Sequence, residues 1–523
     1  MSLLRNFVTV GGATASSRVL GFVRDMFMAA ALGTGVVADA FFVAFRFPNL
    51  FRRLFAEGAF NSAFVPLFAR AYEERGHEEA KEFARDALSA LLTTLLLVIG
   101  LAEILMPILM YVLAPGFSED PEKFDLAVLL TRILFPYLAL VSLLALYSGV
   151  LNARGKFAAA AFAPAMLNVV FIAALAWVIL ADYSETPDAG IILSVATVIG
   201  GVLQLAVVVW ASARMGLPLW PRLPRLTPAV KRLVKLAIPG ALAGGVTQIN
   251  IVVGTIIASL APGAVSFLYY ADRIYQLPLG IVGVAVGVVL LPDLTRQLRT
   301  GHEDTAAHTQ NRALEFAMAL TLPAAIALLV LATPIVKVLF ERGAFDAADS
   351  LATANALAAF AAGLPAFVLI KVFQPGFFAR EDTRTPMWFA AIGMVVNVVL
   401  SLALFGPLEH VGIAIATSIA GWVNAGLLGF TLWRRGEFRI DDGLRRRVPL
   451  ILLAAVLMGA VLWATRGIYT AWLFDPSPWL RYGGILGVVV GGIALFVLFV
   501  QLTGAVDFRK YLGALRNRRR RAT

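Results

Sequence analysis

Long apolar runs alternate with short charged ones along this chain. Runs of about 20 apolar residues, enough to cross a bilayer as an α-helix, recur near 8–33, 38–64, 87–113, 126–151, 158–181, 189–212 and 233–260. They continue near 264–294, 313–340, 350–378, 386–406, 410–433, 448–466 and 482–504. The pattern predicts an all-α polytopic membrane protein with fourteen transmembrane helices. Spans 1 and 2 are the least apolar of these.

The basic residues support that count. Arg70, Arg75, Lys81 and Arg85 follow span 2, and Arg222, Arg225, Lys231 and Arg232 follow span 6. Arg434, Arg435, Arg445 and Arg446 follow span 12, and the tail is basic from Arg509 to Arg521. With the N-terminus inside, all of these fall on one side, and few basic residues, such as Lys123 and Lys337, fall on the other. Cytoplasmic loops carry such an excess. We expect a bacterial inner-membrane protein with both termini cytoplasmic.

The chain also repeats itself at one constant offset. Pro66 and Arg70 answer Pro292 and Arg296, and Ala153–Arg154 answer Ala379–Arg380. Asn168-Val-Val answers Asn397-Val-Val after a short slip. We therefore expect two six-helix lobes, 1–212 and 233–433, related by a pseudo-two-fold axis along the membrane normal. A cytoplasmic linker, 213–232, would join them. Spans 13 and 14 lie in 434–504, and a basic tail occupies 505–523.

Composition narrows the class. The residues are 60% apolar and 15% charged, against about 45–50% and about 25% in soluble domains. A water-soluble fold could not hide that apolar surface. The absence of cysteine excludes disulfides, thiol catalysis and thiolate metal sites. The net charge of +11 sits in short loops, so it reads as topology and not as a nucleic-acid surface. Arg18, Arg24 and Asp25 interrupt the first apolar stretch, which makes a cleaved signal peptide an unsuitable reading. The four histidines have no ligand spacing and read as solvated, so we expect no metal site. With no phosphate-binding loop and no catalytic constellation, a transporter is expected, not an enzyme.

Charges inside the spans carry the functional signal, because intramembrane ionisable groups are costly and mark pathways. Span 1 holds Arg18, Arg24 and Asp25; span 2 holds Asp39, Arg46, Arg52, Arg53 and Glu57; span 8 adds Asp272 and Arg273. Asp39, Arg46 and Arg53 are seven apart and share one helical face. Arginines outnumber acids on spans 1 and 2. A planar, permanently charged guanidinium suits phosphate, so the set suggests a wet cavity for a phosphorylated substrate. The structural alternative is that Arg18–Asp25 and Arg53–Glu57 are internal ion pairs, or that residues 46–57 snorkel to the interface. Arg132 and Lys371 are weaker cases of the same kind. Asn250, Asn397, Ser401 and Thr417 offer neutral oxygens for a coupling cation, or ordinary interhelical hydrogen bonds.

Several stretches resemble one family. SRVLGFVRD at 17–25, the long motif from Asp39 to Pro66, APGF at 114–117, YYADR at 269–273 and PGFFAREDTRTP at 375–386 resemble the lipid II flippase (MurJ/MviN) family. That family belongs to the multidrug/oligosaccharidyl-lipid/polysaccharide exporter superfamily, whose multidrug and lipid-linked oligosaccharide exporters are the alternative reading. The resemblance implies a substrate of undecaprenyl-pyrophosphate carrying a disaccharide-pentapeptide, moved to the periplasmic leaflet by alternating access. It implies central-cavity roles for Arg18, Arg24, Asp39, Arg52, Glu57 and Arg273, with Arg18, Arg24 and Arg52 on the pyrophosphate. Arg46, Arg53, Asp25 and Asp272 would be neighbours, and spans 13 and 14 would hold the lipid tail. The implied partners are lipid II, the phospholipid bilayer and the peptidoglycan synthesis machinery, with no cofactor. A sodium site among spans 7, 11 and 12 occurs in some members. This chain has Asn397 and Thr417 there, but Ser401 and neutral span-7 residues in place of acids, leaving a cation or the membrane potential as the energy source.

Overall fold

The computed structural model describes residues 3–52, 60–475 and 477–505, with side chains omitted at 3–10, 61–62, 239–247, 284–289 and 478. Arg53, Glu57 and the tail from 506 lie outside the described residues. Sixteen α-helices account for nearly all of what is described: α1 (Leu3–Leu32), α2 (Val36–Phe51), α3 (Asn61–Arg75), α4 (His77–Leu113), α5 (Pro121–Leu134), α6 (Tyr137–Ala153), α7 (Ala158–Leu180) and α8 (Pro187–Arg214). The series continues with α9 (Pro228–Ala258), α10 (Ala264–Arg299), α11 (Glu303–Phe340), α12 (Ala347–Phe378), α13 (Arg384–Arg434), α14 (Asp442–Ala464), α15 (Arg466–Leu473) and α16 (Pro478–Leu502).

These helices are consistent with the fourteen expected spans, several of them broken. Span 4 divides into α5 and α6 at Pro136, which has no N–H to continue the ladder. Spans 11 and 12 run together as α13, but Glu409 at φ 45° and ψ −127° separates two helical halves. Among the described residues, nine helices are long and apolar enough to cross a membrane. The charge-bearing α1, α2 and α10 are not among them, in keeping with the weak hydropathy of spans 1 and 2. Helix starts follow local chemistry: Asp120, Thr227 and Asp441 accept from the backbone N–H three residues on, and Pro121 and Pro228 follow as first helical residues. On α4, Leu97, Leu101, Ile104 and Ile108 stand exposed on one face, an apolar stripe that suits lipid contact.

The chain forms two compact units. One comprises Met1–Phe267 with Arg342–Asp349; the other comprises Leu268–Glu341 with Ser350–Thr523. In this division α9 groups with α1 to α8. Its reason is packing: Leu233 and Ala237 of α9 join Phe64, Phe68, Phe83 and Leu217 in one core. In the second unit, Leu314, Met318, Val368, Phe373, Leu428 and Leu444 form the core. The hairpin at 342–349 docks on the end of α1, where Ala344 N–H donates to Ala30 O at 2.9 Å and Thr34 Oγ1 donates to Asp349. Gly33 and Gly343 permit it: a Cβ on either would lie 2.4 Å from a carbonyl oxygen of the facing strand of chain, and both have positive φ.

His410 departs from the solvated reading. It is buried, and its Nε2 lies 3.0 Å from Ala352 O, so the ring ties α13 to α12.

The turn between α12 and α13 is tied by Asp382, which accepts from Arg435 Nη1 at 2.8 Å and Thr385 Oγ1 at 2.7 Å. Burial works against its charge, but the hydrogen bonds from Arg435 and Thr385 outweigh this and lower its pKa from 3.8 to about 2. A depressed carboxylate pKa contributes stability above the unfolded value, lost as pH falls through the folded one. The tie should therefore hold unchanged above about pH 4 and weaken towards about pH 2. Amide exchange of residues 379–386 against pH reads this directly, and Arg435→Gln should shift the loss to higher pH.

Candidate functional site

Within the first unit, α1, α2 and α7 meet at Phe171. Phe41 and Phe45 of α2 pack on its ring at 6.2 and 5.9 Å, and the Arg24 guanidinium of α1 stands 5.5 Å from its centroid. Arg24 is fixed further by polar groups. Its Nε and Nη2 donate to Asp25 Oδ1 at 3.1 and 2.7 Å, and its Nη1 donates to Asn168 Oδ1 at 3.1 Å. Asn168 Nδ2 donates in turn to Ser17 O at 3.0 Å. Asn168 thus seats α7 against α1 and aims Arg24, a role the sequence reading did not give it. The one hint was its recurrence as Asn397 in the second half.

Asp25 pairs with Arg24, so the internal pair Arg18–Asp25 does not form. Arg18 is exposed, with no ion pair or hydrogen bond among the described residues. On α2, Arg46 Nη1 donates to Thr255 Oγ1 at 2.7 Å, and Arg52 Nε donates to Asn49 Oδ1 at 3.1 Å. Arg18, Arg24, Arg46 and Arg52 therefore all belong to one unit, on α1 and α2.

Asp39 does not join them. Its side chain is fully buried and accepts four hydrogen bonds: Lys123 Nζ at 2.8 Å and Gly263 N–H at 2.9 Å on Oδ2, Ser266 N–H at 3.1 Å and Ser266 Oγ at 2.7 Å on Oδ1. In this arrangement the carboxylate is enclosed by its donors and offers no open face to a substrate. Seven residues span about 10 Å of helix, so Asp39 meets different neighbours from Arg46 although they share a face. Lys123, read from sequence as a loop charge, is itself buried and lies 4.3 Å over the Phe117 ring.

In the second unit, Arg273 Cζ lies 4.6 Å over the Tyr269 ring, and Asp272 accepts from Gln276 Nε2. Asn397 and Thr417 meet across the two halves of α13, where Thr417 Oγ1 lies 3.2 Å from Asn397 Oδ1 and 2.8 Å from Ile413 O, and Ser401 follows Asn397 by one helical turn. Asn250 belongs to α9, in the first unit. Ser401 Oγ is buried without a partner. Three neutral oxygens, one already engaged with a backbone carbonyl, fit an interhelical hydrogen bond better than a cation cage. Among the described residues, no group of three His, Cys, Asp or Glu side chains could hold a metal ion.

Broken apolar helices carrying fixed guanidinium groups define a multi-span membrane transporter. The same helical fold recurs in an inward-facing multidrug-resistance transporter of the MOP superfamily, at a TM-score of 0.66 and 15% identity over 80% of this chain and 94% of that one. The chain belongs to the lipid II flippase MurJ family, whose model matches residues 28–482. A probable lipid II flippase MurJ from Rhizobium tropici is 50% identical over 97% of this chain and 95% of its own length. A lipid II flippase MurJ from Burkholderia cenocepacia is 39% identical over 88% and 90%. A solved lipid II flippase MurJ in an inward closed conformation superposes with a TM-score of 0.78 at 25% identity, covering 97% of this chain and all of that one.

Breaking a buried ion pair from one side costs about 3–5 kcal/mol, because the remaining charge stays buried and unpaired. Asp39→Asn should lower the unfolding temperature in detergent accordingly. The pair Asp39→Asn with Lys123→Gln should recover part of the loss, and strict additivity of the two changes would show that the pair is not coupled.

Proposed function

We propose that this protein moves lipid II, the undecaprenyl-pyrophosphate-linked peptidoglycan precursor, from the cytoplasmic to the periplasmic leaflet by alternating access. It does so in the bacterial inner membrane with both termini cytoplasmic, without chemistry on the substrate, and delivers it to the peptidoglycan synthesis machinery. The observation that carries the substrate assignment is the state of the α1 cations. Arg18 is exposed with no protein partner among the described residues, about 9 Å of helix rise from Arg24, which Asp25 and Asn168 hold in place. A positioned guanidinium and an open one on the same helix suit a diphosphate, which presents several oxygens to bidentate donors. Arg52 and Arg46 extend the same positive surface along α2. The exposed apolar stripe on α4 suits the surrounding phospholipid.

Loss of one charge-assisted contact to a phosphate should weaken lipid II handling about tenfold or more. In cells depleted of their own flippase, Arg18→Ala and Arg24→Ala, expressed at parental levels, should each fail to restore growth, and Arg18→Lys should restore it in part. Full growth with both alanine variants would defeat the pyrophosphate role.

The engagement of Thr417 with Asn397 and the Ile413 carbonyl, with no carboxylate among Asn250, Asn397, Ser401 and Thr417, favours the membrane potential over a bound sodium ion as the energy source. Flipping in proteoliposomes should then follow an imposed potential and be unchanged when choline replaces sodium. A loss of activity in choline medium would reverse this assignment.

A further inference from the structure

The segment joining α8 to α9, within the first unit, shows its largest apolar side chains on the outside. Residues 217–227 form neither helix nor strand. Trp220, Leu223 and Leu226 recur along it at every third position and are 70%, 86% and 71% exposed. Leu217 and Leu219 are buried. A chain free to choose would turn Trp220 and Leu223 inward, because removing such side chains from water is favourable.

This chain is fastened instead. Leu217 N–H donates to Ser212 O at 3.1 Å, and Ser212 Oγ donates to Leu217 O at 2.7 Å. The Tyr147 hydroxyl of α6 donates to Leu219 O at 2.8 Å. Arg222 is clasped by α4. Its Nε and Nη2 donate to Asp86 Oδ1 at 2.8 and 2.6 Å, its Nη1 donates to Glu82 Oε2 at 2.7 Å, and its backbone N–H donates to Ser89 Oγ at 2.9 Å. With 217, 219 and 222 held, Trp220 and Leu223 are kept turned outward.

The fastening points also fix the depth. Ser89 lies inside the apolar run 87–113, and Tyr147 lies inside the run 126–151, while Glu82 and Asp86 stand just before the first of these. The segment therefore lies where two spans enter the bilayer, at the boundary between headgroups and acyl chains. Trp210 is 58% exposed at the same end of α8, with the Arg214 guanidinium 4.2 Å from its ring centroid. Tryptophan is enriched at this level of a membrane. The backbone agrees: Pro218, Pro221 and Pro224 have no N–H, so the exposed stretch brings fewer donors that lipid would leave unsatisfied.

We propose that residues 218–226 are an interfacial anchor. Trp220, Leu223 and Leu226 enter the acyl boundary of the nearer leaflet, and the clasp of Arg222 by Glu82 and Asp86 sets their depth. The occupant of this apolar surface is the bilayer itself, and the anchor holds the start of α9 at the membrane surface. The inference is independent of the substrate proposed above.

The chain has no cysteine, so a single introduced cysteine can carry a fluorescent label in the full-length protein. Trp220→Cys and Leu223→Cys are labelled and placed in nanodiscs of zwitterionic lipid brominated along its acyl chains. Both positions are exposed, so these variants should unfold at the parental temperature. Their emission should be lost to the brominated chains, as it should for a label at Leu97→Cys on the exposed stripe of α4, and should resist iodide in the water. A label at Glu79→Cys, exposed on α4 before its apolar run, should behave in the opposite way. Labels at 220 and 223 that keep their emission in brominated lipid and lose it to iodide would place the segment in water and overturn the proposal. Labels shielded from both quenchers would show a protein surface covering it, such as a second copy of this chain, and would overturn it equally.

Discussion

A carboxylate removed from water must find donors in the protein, and Asp39 is the group on which this constraint bears hardest. Its donors come from α5, through Lys123, and from the residues that lead from α9 into α10, Gly263 and Ser266. The start of α2, the start of α5 and that connection are consequently held at one point of the first unit. The end of α1 is fixed close by in sequence, where Thr34 and Ala30 receive the 342–349 hairpin. Helices in lipid lack a hydrophobic force that would choose among their packings, so polar ties of this kind select the arrangement.

The same physics divides the charged residues into two kinds. Asp39, Lys123 and Asp25 are buried and satisfied inside the protein. Arg24 stands between the kinds, since Asp25 balances its charge while Asn168 and Phe171 set its direction. Arg18 is exposed without such a partner among the described residues. An intramembrane charge marks function most clearly where the protein leaves its neutralisation incomplete.

Much of the fold was legible in the sequence. Apolar runs placed the helices, Pro136 sits where span 4 breaks, and the two runs on either side of 407–409 became separate halves of α13. The partners of individual charges were not legible. A spacing of seven put Arg18 beside Asp25 and Asp39 with Arg46, yet Asp25 turned to its neighbour Arg24, and Asp39 found Lys123 more than eighty residues away. Periodicity fixes which face a side chain occupies, but the tertiary neighbour of each turn decides what it meets. Asn168 was visible only as half of a repeated Asn-Val-Val, and its contact with Arg24 needed coordinates.

The most direct measurement is leaflet accessibility of fluorescent lipid II in proteoliposomes holding the purified protein under an imposed membrane potential. If guanidinium groups on α1 and α2 conduct a lipid-linked diphosphate across, the outer-leaflet fraction should change with time in proportion to protein content, and a neutral lipid with the same tail should stay where it was placed. Lipid II that remains in its starting leaflet, or moves no faster than in protein-free vesicles, would contradict the assignment.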